Sequence, residues 1–254
     1  MRNPTLPLLL IAALLNGCNH YYYVPNIQQV PLFKEKNELR FSGAYGGGVE
    51  STCLEVHTAW SLTDNVGIMA NYMHAGGGDV EERDFGKGNY IEGALGYYRP
   101  IEKLGVFEVY GGLGSGKQHH EYTGYRYNDY SGAYSEMYDG YADISLIRLF
   151  VQPSFGFTHS IIDAAFSTRL CYVPITGVDN HVLPANYEYD DINALSDKKY
   201  WFLEPAITLR AGWKNIKAQF QFCYSANLNS PRIYTGEEVH ISIGFYITLA
   251  DRLK

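Results

Sequence analysis

The sequence predicts an all-β fold: a ten-stranded, antiparallel, up-and-down transmembrane β-barrel. Three observations carry this. Ten segments between Glu38 and Leu249 alternate apolar and polar residues with period two, and no stretch of ordinary helix length shows a 3.6-residue stripe. Short turns alternate with longer polar connections, as in a meander whose tight turns all lie at one end. The apolar parity carries no charge through the strand centres, where an Arg or Lys at mid-bilayer would cost about 2–4 kcal/mol.

The segments run in order. The first lies near Glu38–Tyr45, with Leu39, Phe41 and Tyr45 against Arg40 and Ser42. The second sets Leu54, Val56, Thr58 and Trp60 against Cys53, Glu55 and His57, and the third sets Ile68, Ala70 and Tyr72 against Met69 and Asn71. The fourth and fifth centre on Ile91–Tyr97 and Phe107–Leu113. The sixth, Ile147–Phe157, and the seventh, Ala165–Tyr172, place Arg148, Gln152 and Arg169 on the polar parity. The eighth, Leu203–Ala211, and the ninth, Ile216–Ser225, do the same with Glu204, Arg210, Lys217, Gln219 and Gln221. The tenth, Val239–Leu249, sets five Ile, Phe or Val residues and Leu249 against His240, Ser242 and Gly244. Short turns are expected after the even segments, and longer loops near 74–89, 117–141, 173–199 and 226–238.

Alternation alone does not say which face meets the interior. A soluble lipocalin-like barrel would turn its apolar face inward, a membrane barrel outward. Aromatics on the apolar parity sort by height: Tyr45, Tyr72, Tyr172 and Tyr224 at the long-loop ends, Trp60, Tyr97, Phe157 and Trp213 at the short-turn ends. Two such levels match the girdles at bilayer interfaces. The polar parity mixes small residues with balanced charges, Glu55, Glu92, Glu108 and Glu204 against Arg40, Arg148, Arg169, Arg210 and Lys217. That suits a narrow lumen plugged by ion pairs, where an unpaired charge is costly.

The remaining composition agrees. In 254 residues there are 23 Tyr and 26 Gly, favouring strands and turns over helix. A mean hydropathy of -0.21 excludes a bundle of membrane helices. A net charge of -7 argues against nucleic acid as a partner, and four Cys are too few for a disulfide framework.

The N-terminus begins with Arg2, continues in an apolar run over Leu6–Leu15, and reaches Leu15-Asn16-Gly17-Cys18. This resembles the lipobox of bacterial lipoproteins. The resemblance implies a signal peptide over 1–17, cleavage before Cys18, and lipid attachment at Cys18, hence a lipid anchor in the bacterial outer membrane. Residues 18–37, with two Pro and no period, are expected as a tether on the same side as the short turns, and 38–254 as the barrel. Within it, Ser61-Leu-Thr-Asp-Asn-Val-Gly-Ile-Met-Ala-Asn-Tyr72 resembles the strand–turn–strand unit of small outer-membrane β-barrel proteins. That resemblance extends over roughly 38–249 and implies architecture, with outer-membrane lipid as partner, and almost nothing about activity. Such barrels often end in an aromatic residue; this chain ends Leu249-Ala-Asp-Arg-Leu-Lys254.

Candidate chemistry is sparse. Gly111-Gly-Leu-Gly-Ser-Gly-Lys117 fits the phosphate-cradling spacing, but Gln118 stands where Ser or Thr belongs and no helix is expected after it. His119 and His120, with His74, lack a metal-ligand spacing, and His57 and His240 read as members of a lumen hydrogen-bond network. Cys53, Cys171 and Cys223 share the lumen parity, with their redox state open. No catalytic residue, cofactor or metal is assigned. The Tyr-rich stretch Glu121–Tyr141 and the acidic stretch Val178–Tyr200, with Asp179, Glu188, Asp190, Asp191 and Asp197, are the candidate surfaces for an external ligand or partner. The expected role is structural or binding, with an outer-membrane hydrolase, a narrow pore and a lipid-anchored soluble barrel as alternatives.

Overall fold

The structure, a computed structural model, describes residues 21–49, 51–81, 83–101, 105–128, 133–229 and 236–249. The expected signal peptide over 1–17, Cys18 and the C-terminal residues 250–254 lie outside them. Ten long strands form one antiparallel sheet: β1 Leu39–Gly47, β2 Ser51–Ser61, β3 Val66–Asp79, β4 Asp84–Ile101, β5 Gly105–Asn128, β6 Ala133–Thr158, β7 Ile162–Asn180, β8 Lys199–Gly212, β9 Ile216–Tyr224 and β11 Val239–Thr248. The two-residue β10, Ala226–Asn227, continues the β9 edge against β8. Each strand pairs with its predecessor, and β11 pairs with both β9 and β1, so the sheet closes with no free edge. Closure is what a sheet in hydrocarbon requires, since an open edge there could not be hydrated.

The orientation follows the alternation. Burial along β2 and β9 is strictly alternate, residue by residue. The buried parity is polar: Glu55, His57, Glu92, Glu108, Arg148, Gln152, Arg169, Glu204, Gln221 and His240 all lie inside. The exposed parity is apolar: Leu54, Val56, Ile91, Leu95, Leu149, Val151, Phe166, Ile207, Phe220 and Ile243. A water-bathed barrel would reverse the two. Trp201 and Trp213, both exposed, bracket this belt along β8 and the turn after it. With a rise of about 3.3 Å per residue and a tilt of about 40°, their twelve-residue separation spans roughly 30 Å, enough to flank an apolar band about 25 Å tall.

One consequence is testable directly. Ile207 lies midway between those tryptophans and is 50% exposed. Ile207→Arg is expected to lower stability by about 2–4 kcal/mol in phospholipid vesicles, with Ile207→Leu near neutral. Urea unfolding checks it, and a barrel indifferent to the arginine would contradict a lipid-facing Ile207.

The strands run further than the periodicity indicated. The expected loops at 74–89 and 117–141 are largely paired: β3–β4 to Asp79↔Asp84 and β5–β6 to Asn128↔Ala133. β5 and β6 have 24 and 26 residues, against the 9–11 that cross a bilayer. Apolar alternation stops where lipid stops, while backbone pairing continues in Tyr, Gly and polar residues. The 173–199 stretch splits similarly: β7 extends to Asn180, and the six-residue helix α1, Tyr189–Ala194, lies in the connection to β8. Ile192 and Leu195, fully buried, pack this connection onto Tyr22, Tyr122 and Val182. Gly140, with φ +121°, makes the close approach possible, because a Cβ there would strike the backbone at His181 and Val182.

Candidate functional site: the plugged lumen

The 18–37 stretch is where the structure departs most from expectation. Its described part is not a tether beside the short turns. Tyr23 bridges in parallel to Gly236, just before β11, at the long-loop end. The chain then descends through the lumen and leaves at the short-turn end, where Asn37 donates its backbone N–H to Ser61. Tyr22–Phe33 is buried throughout. The chain turns at Asn37, in the left-handed region with φ 66°, and enters β1.

An extended strand alone in a lumen has no neighbouring strand to satisfy its backbone, so side chains of the wall must do it. Gln221 grips residue 28 at both ends, accepting from its N–H and donating to its C=O, each at 2.8 Å. Gln152 Nε2 donates to the Gln29 carbonyl at 2.8 Å and Arg210 to the Val30 carbonyl at 2.8 Å. Tyr246 donates to the Pro31 carbonyl at 2.6 Å. Glu55 accepts from the Ile27 N–H at 3.0 and 3.2 Å, and Glu108 from the Phe33 N–H at 3.2 Å. These contacts come from six different strands, which fixes the height of the segment.

The wall charges close into a network around it. Arg148, fully buried, pairs with Glu92 and donates to the Tyr23 hydroxyl at 2.9 Å. Asn26 is the centre: its Oδ1 accepts from Arg148 and from Arg169, and its Nδ2 donates to Glu92 at 2.9 Å. The Tyr23 hydroxyl donates to Glu204 at 2.7 Å, and its ring stacks on Phe202 with centroids 4.3 Å apart. Arg148 also lies over the Tyr90 ring at 4.6 Å. At the short-turn end, Lys217 bonds Asp163 at 2.6 Å and Arg40 bonds Glu38 at 2.7 Å. The balanced lumen charges read from the sequence are thus all buried, bound to each other, to neighbouring wall groups such as Asp163, or to the plug.

Among the described residues a cavity lies at each end of the lumen. The long-loop mouth holds about 340 Å³, lined by Tyr21, Val24, Met73, Phe85, Tyr90 and His120 among others. The short-turn mouth holds about 370 Å³, lined by charged and polar groups including Lys34, Glu38, Arg40, Asp163 and Lys217. The plug lies between them.

The other candidates are placed as follows. Gly111–Lys117 lies within β5, which runs on as strand through Asn128, so no helix N-terminus faces a phosphate. His119 bonds Asp143 at 2.7 Å on the outward face of β5–β6, whereas His120 turns inward to the Tyr22 ring, and His74 bonds Asn89. His119 and His120 therefore do not converge. Cys53, Cys171 and Cys223 are buried free thiols. His57 and His240 both lie beside Glu55, at 3.2 Å each.

Sequence reasoning missed the plug. A signal was present: Tyr21–Phe33 contains no Asp, Glu, Lys or Arg and is rich in apolar residues and amides. A solvated tether would carry charge.

No protein-family model matches the chain, and no curated protein matches it. Among solved structures, it is similar to the translocator domain of the autotransporter NalP from Neisseria meningitidis, at 10% identity, covering 83% of this chain and 87% of that one, with a TM-score of 0.46. The N-terminal β-barrel domain of Pseudomonas aeruginosa OprF matches at 10% identity over 85% and 99% of the two chains, with a TM-score of 0.34. The β-domain of the Bordetella autotransporter BrkA matches at 12% identity over 85% and 100%, with a TM-score of 0.34. At those values the likenesses carry no argument, and the assignment rests on the chain's own geometry. A closed sheet, an apolar exterior and a polar interior define a transmembrane β-barrel of the outer-membrane kind, here with its own N-terminal segment as an internal plug.

Proposed function

We propose that the protein is a non-conducting, non-enzymatic outer-membrane barrel, lipid-anchored at Cys18, that displays a Tyr-rich, acidic surface to an external ligand or partner. The observation that supports it most is the plug, whose backbone is held by wall side chains at successive heights. A conduit would keep that path free. What the fold spends its extra length on is the β5–β6 hairpin. Its exposed Tyr125, Tyr134, Met137 and Tyr138 stand above the apolar belt, beside Arg83 stacked over Tyr138 at 4.4 Å. Tyr supplies large contact area at low entropy cost.

The reading revises where the anchor sits. Cys18 precedes Tyr21 by three positions, about 10 Å of chain at most. The lipid would therefore enter the leaflet at the long-loop side, which in outer-membrane barrels faces outward. The enzyme alternative has a weaker basis: the His119–Asp143 pair lies on the outward face of β5–β6, away from the lumen.

Single cysteines test display and orientation together, because Cys53, Cys171 and Cys223 are buried and Cys18 would be acylated. At His20 and at Ser135 on the exposed hairpin, an impermeant maleimide should label intact cells. At Ser160, in an exposed short turn, it should label only after permeabilisation. The opposite pattern would overturn the reading.

A further inference from the structure

We infer that the lumen binds a zinc-class divalent cation between Cys53, Glu55 and His240. The site lies outside the ion-pair network of Arg148 and Arg169, on the opposite wall. It arises from a local feature of the sheet. β1 stands between β2 and β11, and its lumen-facing residues here are small: Ala44 pairs with both Glu55 and Gly244, and Gly46 with both Cys53 and Ser242. A Cβ on Gly46 would come within 2.7 Å of the Ser242 Cβ. The long side chains of β2 and β11 therefore reach across β1 and meet above it.

They meet at one point. Cys53 Sγ lies 3.4 Å from Glu55 Oε1 and 3.8 Å from His240 Nε2, and His240 Nε2 lies 3.2 Å from Glu55 Oε1. Tetrahedral zinc, with bonds of about 2.0–2.3 Å, holds such atoms roughly 3.3–3.6 Å apart. The three edges of the ligand triangle are already within a few tenths of an ångström of that. All three residues are at most 2% exposed. A thiolate, an imidazole and a carboxylate form a donor set that favours zinc over the oxygen-seeking magnesium and calcium.

A catalytic triad would look different. There the carboxylate holds one imidazole nitrogen and the thiol the other. Here both address Nε2 of His240, and its Nδ1 has no hydrogen-bond partner. His57 stands on the other side of Glu55, with its Nε2 3.2 Å from Oε2, and is not one of the three converging ligands. The cavity at the long-loop mouth supplies the approach, since Ser51, Met73 and Ala75 line it and Ala75 is the register partner of Cys53.

On binding, the Cys53 thiol proton leaves to water, and a neutral His240 carries its proton on Nδ1. Glu55 keeps its bonds from the Ile27 N–H, because each carboxylate oxygen has two lone pairs. The cation then ties β2 to β11 at the height where the plug is gripped.

The test uses the full-length barrel in detergent, stripped with a chelator and titrated with zinc chloride against a chromogenic competitor. One zinc per chain is expected. Affinity should fall at least about tenfold in Cys53→Ser and in His240→Ala, and be unchanged in Cys171→Ala/Cys223→Ala. Cobalt substitution reads the sulfur directly: the wild type should gain a thiolate-to-cobalt charge-transfer band, absent from Cys53→Ser. The wild-type barrel alone can overturn the proposal, by binding no zinc at micromolar concentration or by taking up cobalt without that band. Zinc binding unaffected by both single variants would overturn it as well.

Discussion

Removing residues 21–33 is expected to turn the plugged barrel into a conducting one. In planar bilayers the full-length protein is expected to show no steady current steps, and the deletion variant discrete openings. The physical ground is the location of the plug on the barrel axis. Eight-stranded barrels are filled by their own side chains, and open aqueous channels appear near sixteen strands. A ten-stranded wall whose lumen side chains point at a central peptide leaves that column empty when the peptide goes. The grips are specific: Gln221 on residue 28, Gln152 on Gln29, Arg210 on Val30 and Tyr246 on Pro31. Each holds a backbone atom of the plug. If the deletion hinders folding, a protease site within 34–36, cut after assembly, releases the same segment under mild denaturant. Equal current from the intact and the unplugged barrel, or no current from a correctly folded unplugged one, would sink the sealed-barrel reading.

Arg148→Met is expected to lower unfolding free energy by about 3–5 kcal/mol, the largest single-residue effect in the lumen. Arg148 is completely buried and holds Glu92, Tyr23 and Asn26 together. Without it, Glu92 keeps Arg169 only at 3.8 Å, with amide donors from Asn26 and Asn71. That leaves a buried carboxylate undercompensated, which costs more than the pair contributed. Pairing the change with Glu92→Gln should return part of the loss, since the orphaned carboxylate is gone while Arg169 keeps its bonds to Asn26, Gln152 and the Ile27 carbonyl. Urea titration in vesicles measures both. A single variant within about 1 kcal/mol of wild type, or a double variant as damaged as the single, would show that the network does not hold the plug.

The architecture was legible because it depends on a local pattern. In a strand, consecutive side chains point to opposite faces, so period two fixes which residues share a face without knowledge of the partner strands. Glu55, Glu92, Arg148, Arg169 and Arg210 were placed on the lumen side on this ground alone, and the structure buries each. Charge exclusion from the other parity then fixed which face meets lipid. Strand ends were less legible, since pairing above the bilayer needs no apolar alternation, and β5–β6 continues well past it.

The plug was illegible for the opposite reason. Residues 21–33 pair with side chains from many strands instead of one neighbouring backbone, and such partners impose no period on the sequence. The Cys53–Glu55–His240 meeting is similar: His240 follows Cys53 by 187 positions, and only the register of β1 between β2 and β11 brings them together.

By itself, then, the sequence determined that the chain closes into a ten-stranded barrel, greasy outside and hydrophilic within, because side-chain alternation is a property of each strand alone. Only the tertiary structure decided that the N-terminal segment enters from the long-loop end and fills the lumen, and which distant side chains meet on its wall. Those outcomes depend on closure and register, which set distances between residues that no local pattern relates.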